Sequence, residues 1–103
     1  MLNKEKNLLD AFLDLLEKKV INIINDFSNI DMDNLEELRD SVFENKDNAK
    51  QISKSFLKNF EIFEKKFTHF VDNFKNISLI KTEESLEDFS NNIQMLKKEL
   101  FNN

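Results

Sequence analysis

No glycine and no proline occurs anywhere in these 103 residues, and that double absence restricts the fold more than any motif does. Tight β-hairpins rely on residues that accept positive φ, glycine above all, and proline presets many other turns. A chain with neither has little from which to build serial hairpins or the many short loops of an α/β fold. The expected class is all-α.

Hydrophobic periodicity points the same way. Leu9, Leu13, Leu16, Val20, Ile23, Phe27 and Ile30 recur at steps of three and four, as do Leu86, Phe89, Ile93, Leu96 and Leu100. Between them lies a longer seam. It begins Leu35, Leu38, Val42, Asn45, Ala49, Ile52 and continues as a ladder of rings, Phe56, Phe60, Phe63, Phe67, Phe70 and Phe74, ending at Ile77. From Phe60 onward the ladder is a strict heptad, the pattern that packs one helix on another. The doubled step of four at Phe56–Phe60 is a stutter that would locally unwind a supercoil. Leu8, Phe12 and Leu15 add a second apolar edge to the first helix, whose early half is therefore expected to touch two neighbours.

Polar side chains must supply the boundaries. Asp33 with Glu36 forms an Asp variant of the capping box, and Thr82 with Glu83 and Glu84 suits another helix start. Helices are thus predicted at 3–29, 33–77 and 83–101. They form a single domain over residues 1–103, an antiparallel bundle or coiled coil of three long helices. The second would be about 67 Å long, with the other two laid end to end along it. The alternative breaks it at 45–50, with Asp47 capping a new helix, and gives a compact four-helix bundle.

The candidate interaction surface is the ladder itself: Phe56, Phe60, Phe63, Phe67, Phe70 and Phe74, with Asn45 as the lone polar seam residue that could set register or oligomer state. A third helix of 83–101 is too short to cover the rings, so a homodimer is expected. Phenylalanine brings no hydroxyl or indole N–H, and eleven Phe with no Tyr or Trp suit burial rather than base stacking.

No catalytic, cofactor-binding or metal-ligating set emerges, and no enzyme or cofactor is expected. Cysteine is absent, and His69 is the sole histidine, flanked on its helix by Lys65 and Asp72. Residues 29–40 place Asn29, Asp31, Asp33, Glu37 and Asp40 at calcium-loop spacings. Glu36, however, stands where that loop is apolar, and its last position holds Asp instead of a bidentate Glu. Helix capping accounts for the same acids. Lys46, Lys50, Lys54 and Lys58 recur every four residues and read as a solvated face answered by acids of a neighbouring helix, the alternative being a grip on an acidic partner or phosphates.

Net charge is −5, which disfavours nucleic acid as a direct partner. Residues 31–47 are acid-rich and 48–81 base-rich. Residues 1–6 offer no apolar targeting segment, and no uncharged run approaches the roughly 18 residues of a membrane span. The expected place is the cytoplasm, or the host cytosol if a phage encodes the chain. The leading functional expectation is a non-enzymatic helical module that binds a protein partner: an adaptor, a chaperone-like protein or an assembly subunit. The alternatives are a small acidic inhibitor that blocks a nucleic-acid-binding protein, and a structural coiled-coil spacer.

Overall fold

A computed structural model describes residues 2–27 and 30–102. Among the described residues it contains five α-helices and no strand: α1 (Leu2–Asn25), α2 (Met32–Glu44), α3 (Lys46–Ile52), α4 (Lys54–Asp72) and α5 (Leu79–Phe101), with a short 3-10 turn at Phe74–Asn76 before α5. The all-α expectation holds.

The single long helix over 33–77 does not. A continuous helix of that length would span about 67 Å, whereas the whole molecule measures 42 × 21 × 20 Å. The chain departs from the helix at two places of unequal weight. At Asn45 (φ −83°, ψ 0°) the backbone stays near helical: its N–H reaches the carbonyls of Ser41 and Val42 at 3.1 and 3.2 Å, and its own carbonyl accepts from Ala49 N–H at 3.1 Å. Helices α2 and α3 are therefore one bent arm. At Ser53 (φ −170°, ψ 164°) the backbone is fully extended and the chain reverses. The Ser53 hydroxyl accepts a hydrogen bond from Phe56 N–H at 3.0 Å, which caps one of the orphan donors of α4. Asp47, predicted to cap a new helix, instead sits in the first turn of α3.

Two other starts differ from prediction. The N-cap of α2 is Asp31, whose carboxylate accepts from Asp33 N–H at 2.9 Å. The N-cap of α5 is Ser78, accepting from Lys81 N–H at 3.2 Å. Thr82 lies one turn inside α5, buried, its hydroxyl donating to the Ser78 carbonyl at 2.9 Å. α1 ends at Asn25, short of the predicted 29, and residue 29 lies outside the described residues.

Four arms result. Ion pairs show α4 running back along α2 and α3, with Arg39 on Asp72 at 2.9 Å and Lys46 on Glu64 at 3.1 Å. α5 then runs back along α4, with Lys66 on Asp88 at 3.6 Å and Asn59 on Glu99 at 3.0 Å. α1 closes the ring by packing on α5 and on α3 while making little contact with α2. The seams meet in one core. Leu9, Leu13, Leu16 and Val20 come from α1, Leu35, Leu38, Val42 and Ala49 from the bent arm, five rings from α4, and Leu86, Phe89, Ile93, Leu96 and Leu100 from α5.

Candidate interaction surface

The structure places the ring ladder inside the chain. Phe56 and Phe60 are 0% exposed, and Phe63, Phe67 and Phe70 are buried with them, while Phe74 is half-buried at the end of the core. Phe89 from α5 enters the ladder edge-on, with ring centroids 5.9 Å from Phe63 and 5.2 Å from Phe70. The rings looked uncovered in sequence because the covering helices were matched against a rod. Once the rod folds back at Ser53, the other arms surround them.

Asn45 is likewise occupied locally. Its side-chain Nδ2 donates to the Ser41 carbonyl at 2.9 Å, and its Oδ1 accepts from Asn48 at 3.3 Å. These bonds fit the kink between α2 and α3, where a side-chain amide competes for a helical carbonyl.

The remaining candidates disperse. His69 is exposed on α4 beside Asn73, 3.3 Å from Nδ1. Among the described residues, no group of three His, Cys, Asp or Glu side chains is placed to hold a metal ion. Asp33, Glu37 and Asp40 are within α2, so they line a helix instead of a calcium loop; Asn29, the first position of that pattern, lies outside the described residues. The lysine stripe is cut by the reversal at Ser53. Lys46 meets Glu61 and Glu64 at 3.5 and 3.1 Å, and its pKa is raised by the hydrogen bond to Glu64, against the lowering effect of burial. Lys50, Lys54 and Lys58 are spread around the turn, all three exposed.

Two more charge clusters tie arms together. Lys97 of α5 reaches Asp14 and, at 3.4 Å, Glu17 on α1. Its pKa is raised, first by the Asp14 hydrogen bond. Burial is the largest influence on Arg39 and lowers its pKa, yet Asp72 and Asp40 together leave it raised. Among the described residues no buried side-chain nitrogen or oxygen lacks a hydrogen-bond partner. No helix long and apolar enough to cross a membrane is present among the described residues either.

One of the openings the fold leaves is the gap between α1 and α2. Phe12, half-buried, and Leu15, 51% exposed, bring the second apolar edge of α1 to it, and Leu8, 48% exposed, continues that edge one turn before Phe12. Phe12, Leu15 and Leu16 line the gap opposite Leu38 and Ser41. It continues past Lys19 and Ile23 to Asp26 and Asp31, enclosing about 490 Å³ at that end. A smaller groove of about 220 Å³ lies between α4 and α5, where Ile62 and Met95 flank Asn59, Asn92 and Glu99. There the Asn59–Glu99 bonds bridge the two walls.

The cleft was half visible in sequence. The Leu8–Phe12–Leu15 edge was read as a contact surface, but the segment 33–52 carries only one apolar seam and spends it on the core. An apolar edge on one helix with no matching edge on its neighbour is the signal. Comparison with protein-family models, with curated proteins and with solved structures finds no match to this chain.

Proposed function

We propose that this chain is a non-enzymatic helical interaction module, an adaptor, chaperone-like or assembly component built on its heptad seams, and that it holds a protein partner in the cleft between α1 and α2. The observation that supports this is the second apolar edge of α1, where Leu8 and Leu15 stay about half exposed on either side of a half-buried Phe12. Contiguous exposed apolar surface bounded by polar residues is the usual mark of a docking site. The ring ladder does not enter this reading, because its own chain already covers it, and the reason for expecting a homodimer goes with it.

Cross-linked capture tests the reading. Wild-type protein, Leu8→Ser/Leu15→Ser and a control altered away from the cleft, Phe43→Ser, are compared as baits. A partner held by wild type and by the control but lost from the cleft variant, at both low and high salt, supports it. A partner indifferent to the cleft variant defeats it.

A second reading rests on one specific feature. Asp31, Asp33, Glu36, Glu37 and Asp40 form an acidic run along α2, most of it exposed, as an acidic inhibitor of a nucleic-acid-binding protein would require. Its partner would be released as salt rises, since surface charge pairs are screened beyond about 8–10 Å at physiological ionic strength. A bundle 42 Å long with its arms folded back offers little span for a spacer.

A further inference from the structure

We infer that the occupant of the α1–α2 cleft is a basic amphipathic helix of about four turns; this rests on the reading of the cleft given above. Three features of the cleft lead there, and they concern backbone, length and charge.

Both walls are α-helices. Their backbone N–H and C=O groups are consumed internally, so neither wall offers the free strand edge on which an extended peptide would form main-chain hydrogen bonds. An occupant must satisfy its own backbone, and a helix does so while presenting an apolar stripe at i, i+3, i+4 and i+7. The open edge of α1 has that spacing, with Leu8, Phe12 and Leu15 one turn apart.

The lined part of the cleft runs from Phe12 to Asp26 along α1 and the residue that follows it. Fourteen residues of helix rise about 21 Å, close to four turns. An antiparallel or parallel helix of that length would fill the gap as a fifth arm.

Charge then selects the flanks. Asp31 and Glu37 from the α2 side border the cleft, against Lys19 as the one cation among the described residues that line it. Asp33 adds to the negative field of α2 from a nearby exposed position. A helix with Lys or Arg beside its apolar stripe is attracted, whereas one with Glu there meets like charge.

The test uses the full chain and three synthetic 15-residue peptides with blocked ends. The first carries Leu at helical spacing and Lys elsewhere. The second replaces every Lys by Glu, and the third has the first peptide's composition with its Leu residues scattered around the helix. Titrations are followed by amide chemical shifts. The expected result is saturable binding of the first peptide, at least tenfold tighter than either of the others, with shifts concentrated at Phe12, Leu15, Ile23 and Leu38. Leu15→Gln should weaken it severalfold. So should Asp31→Asn/Glu37→Gln, a pair that removes two charges while keeping a good N-cap on α2, because asparagine caps a helix about as well as aspartate.

Equal binding of the Lys and Glu peptides overturns the charge assignment and leaves the cleft reading standing. Equal binding of the ordered and scattered Lys peptides, indifferent to Leu15→Gln, means diffuse attraction to an acidic protein and overturns both. No saturable binding of any peptide overturns the helix assignment, while the capture experiment still judges the cleft. If light scattering of the protein alone shows a concentration-dependent dimer abolished by Leu15→Gln, the occupant is a second copy and the inference fails.

Discussion

The rings of Phe67 and Phe89 meet edge to face, their centroids 5.2 Å apart at an interplanar angle of 68°. That geometry sets the positive edge of one ring against the negative face of the other. It joins α4 to α5 within the core, where Phe89 also approaches Phe63 and Phe70. Phe89→Ala should therefore lower stability by about 3–5 kcal/mol, read as a shift of the urea midpoint at unchanged slope. A loss below about 1 kcal/mol would place the ring outside the cooperative core.

Leu15 and Leu16 are sequence neighbours with opposite fates, half exposed on the cleft and fully buried. Leu16→Ala is expected to cost about 2–5 kcal/mol, and Leu15→Gln less than about 0.5 kcal/mol. Thermal melts of the two variants check this, and a large penalty at Leu15 would mean that the edge is covered in the free protein.

Helix capping gives a second paired contrast. Asp31→Ala removes the acceptor of Asp33 N–H and should cost about 1 kcal/mol. Asp33→Ala removes an exposed carboxylate that is not the N-cap and should stay within about 0.5 kcal/mol. Reversed sizes in denaturant titrations would move the start of α2 two residues on.

The α1–α5 charge cluster predicts an alkaline dependence. Lys97 has its pKa raised above the ordinary 10.5 by Asp14 first and then Glu17. A cation favoured in the folded state contributes fully below its unfolded pKa and loses that contribution as pH climbs through the higher folded value. The stability difference between wild type and Lys97→Met should be flat from about pH 7 to 9 and shrink above about pH 10.5. A difference that grows with pH would contradict the pairing.

How much of this was legible in the sequence depends on which interaction decides each feature. Nearly every seam residue from Leu9 to Leu100 lies in or against the core, because burial follows the 3.6-residue period wherever the helices end up. The reversal at Ser53 escaped because Ile52 and Phe56 keep their spacing across it, so both sides of the turn offer their side chains to the same core. The stutter at Phe56–Phe60 marked the disturbance one turn late. Ser53 itself, with Ile52 before it and Leu57 four residues on, has the spacing of a capped start with a hydrophobic staple. Asp31 against Asp33 and Ser78 against Thr82 were undecidable locally, since each pair offers two good caps; packing of the first turn chooses between them. The cleft was harder still, because an unpartnered edge exists only relative to the neighbour that fails to meet it.

The reversal at Ser53 has a kinetic consequence. Extended φ and ψ are open to any L-residue, and among the described residues no backbone has positive φ, so no connection waits on a rare conformer. Without proline there is no slow isomerisation over tens of seconds to retard refolding. From α2 onward each arm docks on the one next to it in sequence, which keeps those loop closures short, and helical topologies rich in local contacts fold in microseconds to milliseconds. The folding trace of this protein should be a single fast exponential, carried by a hairpin of α3 and α4 that closes around one serine.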